Sequence, residues 1–177
     1  MRRTAETIAD ELLVMRCQDG EADALDALVR RWQRPLWRHA YRLTGNVEAA
    51  WEATQDGWAG ILRGLGKLDD PARFGAWAYR IVTHKAVDWV RSRRKAAGNR
   101  PLAADPPAPA GGEDARVDRV RAALDRLPPA MRVILALRYR DEFATAEIAE
   151  ILGIPAGTVK SRLHHARREL KRLVEGE

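Results

Sequence analysis

An all-α protein of two small helical domains joined by a flexible Pro/Ala/Gly-rich linker is the architecture this sequence predicts. Three observations predict it. Apolar residues recur at three- and four-residue steps along nearly every segment, and no stretch alternates apolar and polar as a strand would. Residues 98–113, GNRPLAADPPAPAGGE, hold four prolines, three glycines and four alanines, with almost nothing to bury. All six tryptophans lie before residue 90, so the flanks of that linker differ in kind. The expected division is a first domain over 8–97, a linker over 98–113 and a second domain over 114–175. Extended as polyproline II, the linker would reach roughly 50 Å.

The first domain opens with a helix from about Ile8 to Arg16. After Gly20, residues Leu25, Leu28, Val29, Trp32, Leu36, Ala40 and Leu43 keep the helical period, with Pro35 inside the pattern as an expected kink. Thr44-Gly45-Asn46 ends that helix and caps the next, over 47–64. Asp69-Asp70-Pro71 supplies turn chemistry before a helix from Phe74 to Lys95. Its apolar stripe is Ala78, Val82, Ala86, Trp89 and Val90. On another face Arg80, His84, Val87 and Arg91 cluster, with Trp77, Thr83 and Asp88 beside them. The helix ends in Arg91-Ser92-Arg93-Arg94-Lys95, four cations in five residues. Cations at a helix C-terminus suit the macrodipole. Four of them beside aromatic side chains exceed what a cap needs, and a basic groove with stacking aromatics is how single-stranded nucleic acid is held. Trp89 lies on the apolar stripe and is expected in the core. Trp77 lies off it and is the better DNA-contacting side chain.

In the second domain Val117, Val120, Leu124 and Leu127 fit a helix stopped by Pro128-Pro129. Met131, Ile134, Leu135 and Leu137 mark another, ending near Tyr139 to Asp141. Thr145 to Leu173 then reads as a pair of helices. Ile148, Ala149 and Leu152 give the first an apolar face, Gly153 is free to take φ > 0 at its end, and Pro155 sits where a new helix can begin. With Val159 as origin, Leu163, Ala166, Leu170 and Leu173 all fall within about 40° of it. The other positions are polar, and between Pro155 and Arg172 there are six Lys or Arg and one acid, Glu169. Short helix, glycine turn and longer basic helix make the helix-turn-helix pattern, whose second helix enters the DNA major groove. Ser161, His164, His165 and Arg168 lie most directly opposite the apolar stripe and are the base-edge candidates, since Arg bonds guanine bidentately and His or Ser bonds a base or a phosphate. Lys160, Arg162, Arg167, Lys171 and Arg172 are placed to contact phosphates. Thr158 lies near the helix N-terminus, where backbone N–H groups attract phosphate.

Composition narrows the function. The net charge is +6 and the isoelectric point about 10.0, which favours an anionic partner. No run approaches the 18 apolar residues of a membrane helix. The N-terminal stretch MRRTAETIADELLVMRCQDGE carries acids within the would-be apolar segment and does not read as a signal peptide, so a cytoplasmic protein is expected. Cys17 is the only cysteine, which excludes a disulfide framework and a Cys-based zinc site. The two serines lie among cations, the four histidines have no partner at metal-ligand spacing, and no HExxH, GxxxxGK or GxGxxG occurs. No enzyme, metal or cofactor is expected.

The order LDALVRRWQRPLWRHAYRLTG, AAWEATQDGW, FGAWAYRIVTHKAVDWVRSRRK, a Pro/Ala linker, ALDRLPPAMRVILALRY and AEIAEILGIPAGTVKSRLHHARREL resembles the bacterial RNA polymerase sigma factors of the small two-domain, extracytoplasmic-function (ECF) group. The resemblance covers nearly all of residues 15–173, and its C-terminal part is the most specific. It implies an alternative sigma factor that binds core RNA polymerase, recognises the −10 and −35 promoter elements and directs transcription initiation. The helix holding Glu52, Gln55, Asp56 and Trp58 resembles the segment that docks on the clamp of the largest polymerase subunit. Residues Phe74 to Lys95 resemble the segment that recognises the −10 element and captures bases of the melted strand; Trp77, Arg80, Thr83, His84, Val87, Arg91, Arg93 and Arg94 are its expected contacts. The Ala156–Arg172 helix resembles the reader of the duplex −35 element, through Thr158, Lys160, Ser161, Arg162, His164, His165, Arg167 and Arg168. The 66–73 loop is expected to hold a flipped base. An anti-sigma factor is a further partner the resemblance implies.

This chain departs from the family's pattern at four places. Trp51 stands where an acid is usual, Ala53 where a larger apolar residue is usual, and Gly57 follows Asp56 directly. His84 replaces an asparagine common in the −10 helix. The competing reading is a free-standing helix-turn-helix regulator acting without polymerase, its first domain serving dimerisation or sensing. A dimerisation domain has no need of the basic, aromatic Phe74–Lys95 helix.

Overall fold

The computed structural model describes residues 5–96 and 115–175, with side chains over 7–93 and 119–175. The chain divides into two compact units between Ala103 and Ala104. Among the described residues every regular element is helical. None of these helices is long and apolar enough to cross a membrane. The expected linker over 98–113 lies outside the described residues.

The first unit holds α1 (Ala5–Gln18), α2 (Ala22–Thr44), α3 (Val47–Gly64) and α4 (Phe74–Ala96). Two short 3-10 turns, Leu65–Lys67 and Pro71–Arg73, lie between α3 and α4. α2 runs through Pro35 without ending there. It stops at Gly45, whose φ of 65° is the left-handed conformation that costs a side chain energy and a glycine little. Asn46 follows as the cap of α3, its side chain accepting from the Ala49 N–H at 2.9 Å. Asp70 does the same for the second turn, accepting from Ala72 N–H at 3.0 Å.

Helices α2, α3 and α4 enclose the core, which buries Leu28, Leu36, Ala40, Ala50, Ala53, Ile61, Phe74, Ala78, Tyr79, Val82 and Ala86. The seam between α3 and α4 is made by small residues facing large ones. A Cβ added at Gly57 would stand 2.6 Å from Cγ2 of Val82, and one at Gly64 would stand 2.8 Å from the Trp77 ring. Gly60 meets Ile81 in the same way, at 3.2 Å. The small residues that depart from the family pattern thus have a packing cause: Ala53 is buried and Gly57 makes room for α4.

α1 is held across α2. The Trp32 indole N–H donates to Asp10 Oδ1 at 3.0 Å, and Arg31 pairs with the same carboxylate. Trp32 then meets Phe74 edge-on at 5.4 Å between centroids and Tyr79 at 6.3 Å.

The second unit holds α5 (Ala115–Arg126), α6 (Pro129–Tyr139), α7 (Thr145–Leu152) and α8 (Ala156–Glu175). Its core is aliphatic: Ala123, Leu127, Val133, Ile134, Leu135, Leu137, Ile148, Ile151, Val159, Leu163 and Ala166. Glu147 fastens the start of α7, its carboxylate accepting from the Ala144 N–H at 2.6 Å. Gly153 ends α7 with φ 63°, and Ile154 N–H returns to the Ala149 carbonyl at 3.1 Å. That closed turn sets α8 against α6 and α7.

Candidate nucleic-acid interface

α8 sorts its side chains as its periodicity predicts. Val159, Leu163 and Ala166 are buried, and Leu170 and Leu173 are half-buried at its far end. Lys160, Ser161, Arg162, His164, His165, Arg167 and Arg168 are exposed, and Thr158 is half-buried in the first turn. Some of these are not free arms. The Ser161 hydroxyl donates to the Thr158 carbonyl at 3.0 Å, which leaves its oxygen as an acceptor. Arg167 folds back, its Nε donating to the Leu163 carbonyl at 3.2 Å. Arg172 is paired with Glu169 and Lys171 with Glu175. Arg168, opposite the buried stripe, sits at the centre of the exposed cationic face.

α4 is more deeply embedded. It is packed by both α2 and α3, so its buried arc includes Phe74, Ala76, Ala78, Tyr79, Val82, Thr83 and Ala86. Among its exposed residues Arg80, His84 and Arg91 form a line at i, i+4 and i+11, with half-buried Val87 between them. At 100° per residue the three exposed positions fall within about 40° of one another, over a rise of about 16 Å. Asp88 is exposed beside them and lies 3.7 Å from Arg91.

One of the expected strand contacts, Thr83, changes place, and another, Trp77, is partly covered. Thr83, expected on the DNA face, is buried. Its hydroxyl donates to the Tyr79 carbonyl at 2.7 Å, so toward His39, whose Nε2 is also 2.7 Å away, it can only accept. The proton of His39 is therefore on Nε2, and its Nδ1 is a buried acceptor with no hydrogen-bond partner. Burial, with the Arg42 charge adding to it, lowers the His39 pKa to about 3, so the ring is neutral at ordinary pH. Trp77, expected off the core, is half-buried with its ring edge against Gly64 and 6.1 Å from the Phe74 ring. Trp89, expected in the core, is instead half-buried at the rim, with the Arg93 guanidinium 5.3 Å over its ring. The side chain of Arg94 lies outside the described residues.

On α3, Glu52, Gln55 and Asp56 are exposed, and Asp56 reaches Lys85 of α4 at 3.9 Å. Trp58 is half-buried with its indole nitrogen enclosed and unpartnered. Sequence reasoning missed the apolar stripe beside these polar groups. Val47 and Trp51 are each 42% exposed and Leu62 is 50% exposed. Trp51 leans on Trp37 at 5.6 Å, and Trp37 stacks on Tyr41 with their planes 11° apart. A signal for it exists in the spacing: residues 47, 51, 58 and 62 share one face of a helix, adjacent to the face of Glu52 and Gln55. The exposed edge of Trp51, backed by half-buried Trp37 and Tyr41, thus lies beside the exposed Glu52 and Gln55.

Among the described residues no group of three or more His, Cys, Asp or Glu is placed to hold a metal ion. Cys17 is half-buried, and burial pushes its thiol pKa up, away from nucleophilic use.

Family models match two stretches of the chain: Sigma-70 region 2 over residues 28–96 and Sigma-70, region 4 over 118–170. The ECF RNA polymerase sigma factor SigW of Bacillus subtilis is 29% identical over 174 residues, covering 90% of this chain and 93% of its own length. The ECF RNA polymerase sigma factor SigM of Mycobacterium tuberculosis is 35% identical over 158 residues, covering 88% and 79%. Among solved structures, CnrH in complex with the cytosolic domain of CnrY matches with a TM-score of 0.66 at 25% identity, over 96% of this chain and 99% of that one. The sigma factor RpoE of Bartonella quintana, solved with the anti-sigma factor NepR, shares the fold at a TM-score of 0.69 and 22% identity, over 85% and 96%.

Proposed function

The chain belongs to the ECF RNA polymerase sigma factors, and from that premise we propose how its separate faces divide the work of initiation. It is an alternative sigma factor, directing transcription initiation with core RNA polymerase on promoter DNA. It acts in the cytoplasm, where polymerase and promoter are, and its role is recognition and strand capture without catalytic chemistry. An anti-sigma factor is a further partner.

α8 reads the duplex −35 element. Arg168, His164 and His165 reach base edges, while Ser161 accepts from a base or serves the backbone. Lys160 and Arg162 neutralise phosphates and so contribute affinity without sequence information. Arg167, bonded to its own helix, is a weaker phosphate contact than its exposure suggests.

α4 holds the melted −10 strand along Arg80, His84, Val87 and Arg91. The Arg93–Trp89 pair extends that line as a cationic plane on which a base can stack. Thr83 acts from below: its bond to His39 fixes the rotation of α4 against α2, so the line faces outward.

α3 docks on the polymerase clamp through Glu52, Gln55 and Asp56, with Trp51, Val47 and Leu62 as the apolar part of the same surface. Trp51 in place of an acid exchanges a charge for buried area, the kind of residue that dominates interface energetics.

The observation that carries this assignment is the exposed line Arg80–His84–Arg91 occurring in one chain with the exposed basic face of α8. The purified protein should form a stable complex with core polymerase on gel filtration and initiate at promoters with paired elements. Arg91→Ala should reduce transcription from a duplex promoter, and Arg168→Ala should relax the −35 preference. The assignment falls if the protein forms no complex with core polymerase and gives no promoter-specific transcript from any template.

A further inference from the structure

The segment joining α3 to α4 is tied down from a distance. Gln18, the last residue of α1, places its side-chain nitrogen 3.0 Å from the Leu65 carbonyl and 2.9 Å from the Leu68 carbonyl. One –NH2 group has two hydrogens, and both are used, each on a different backbone oxygen. The two carbonyls bracket the first 3-10 turn, and Leu68 N–H closes that turn on Leu65 at 3.2 Å. α1 also packs against the second turn, Pro71–Arg73. Between these anchors the chain exposes Gly66, Lys67, Asp69 and Asp70. The segment thus presents donors, acceptors and open backbone on a fixed arc at the head of α4.

A solvent-exposed connection has no need of such a bond for its own sake, since water could satisfy both carbonyls. What the bond supplies is position. Without it, the stretch 66–70 keeps only the Leu68–Leu65 backbone bond, the Asp70 cap and the packing of its flanking turns on α1, with Gly66 allowing wide backbone freedom.

We propose that Gln18 is a positioning residue for strand capture: by holding Leu65 and Leu68 it fixes the backbone of the 66–70 segment at the head of α4. This rests on the reading of α4 as the helix that grips the melted strand and of the 66–73 loop as the holder of a flipped base, as the family resemblance implies. Gln18 touches no DNA; it acts through the segment it holds.

The test is a cycle between Gln18 and individual bases. Holoenzyme made with the full chain is bound to fork DNAs in which each −10 nucleotide in turn is made abasic. A base that stacks in a protein pocket contributes roughly tenfold in affinity. For wild type, removing the captured base should weaken binding about tenfold. Gln18→Glu keeps the shape but offers carbonyls no donor; Gln18→Ala removes the contact altogether. Both should bring the penalty at that single position below about twofold while leaving the penalties elsewhere unchanged. A bond of merely structural use would weaken every fork alike. If wild type is sensitive at one position and both variants keep that sensitivity undiminished, Gln18 has no positioning role. If wild type is indifferent to every abasic position, the reading of α4 falls, and this proposal with it. Circular dichroism melting of both variants identifies any loss that comes from unfolding, which would depress all forks together and so count against the proposal.

Discussion

α8 and α4 are both basic amphipathic helices, yet they differ in how much of their circumference the fold consumes. α8 lies on one side of a small unit and gives up a narrow stripe, Val159, Leu163 and Ala166. α4 is packed by α2 and α3 together and gives up a wide arc, from Phe74 through Ala86. The difference is one of arc: α5, α6 and α7 all meet α8 along one narrow stripe, so charge and periodicity find its recognition face. Where the buried arc is wide, as on α4, polar residues such as Thr83 enter the core and the usable face narrows.

The contrast breaks most forcefully in the small unit. Ile148→Ala removes a fully buried side chain from a core of few residues and should cost about 3 kcal/mol. A small domain has little margin to absorb it. All six tryptophans lie in the other unit. The loss should therefore appear in the helical circular dichroism signal and leave the tryptophan fluorescence transition in place. A fluorescence midpoint that fell with it would mean that the two units melt as one.

In the first unit the vulnerability is crowding rather than a cavity. Gly57→Ala puts a methyl group against Val82, a β-branched side chain with little rotamer freedom in a helix. It should destabilise by about 2 kcal/mol, read as a lowered midpoint of the tryptophan transition in urea. A neutral or stabilised variant would show that α3 and α4 are not closely fitted.

His39 sharpens the difference by pH. Its folded pKa, about 3, lies below the ordinary 6.5, so the unfolded chain takes up a proton first as pH falls. Stability from this group is complete above about pH 6.5 and is lost progressively down to about pH 3, at roughly 1.4 kcal/mol per unit. The second unit has no such buried histidine, since His164 and His165 are exposed. The tryptophan transition should thus weaken between pH 6.5 and 5, and His39→Phe should flatten that slope. A slope identical in the variant would assign the pH effect elsewhere.

The smallest effect separates core from contact on α4. Thr83→Val leaves the His39 N–H without its acceptor and should cost about 1 kcal/mol. Since Thr83 does not face DNA, the salt dependence of promoter binding should be unchanged, whereas Arg91→Ala should lower that slope by about one. A Thr83→Val variant with a changed slope would return that residue to the DNA face.

The sequence made some of this plain and hid the rest for physical reasons. Helix boundaries were legible wherever a residue has one dominant backbone use: Gly45, Asn46, Asp70 and Gly153 all act as their chemistry dictates. Pro35 was expected to kink α2, and the helix continues through it. The face of α8 was legible because its apolar positions are few and unambiguous. Trp77 and Trp89 are both half-buried, whereas one was expected off the core and the other in it, because a tryptophan is large enough to serve at a rim and in a core at once. For Trp77 the deciding contact is Gly64, a residue of the neighbouring helix that the periodicity of α4 itself does not carry. The Gln18 bonds join positions 47 and 50 apart, which no local pattern carries either. The stripe of Val47, Trp51 and Leu62 has a readable spacing, but apolar residues at that spacing ordinarily mark a buried face, and only the packing shows that these three stay 42–50% exposed.

A layer of long side chains between two helices lets them slide and twist by changing rotamers. The seam between α3 and α4 lacks that layer: Gly57 and Gly64 bring backbone against the side chains of the neighbour, and Asp56–Lys85 spans the same boundary. With so little between them, the two helices have few rotamers to change, and the outer surface of α3 is fixed at short range to the helix that carries Arg80, His84 and Arg91.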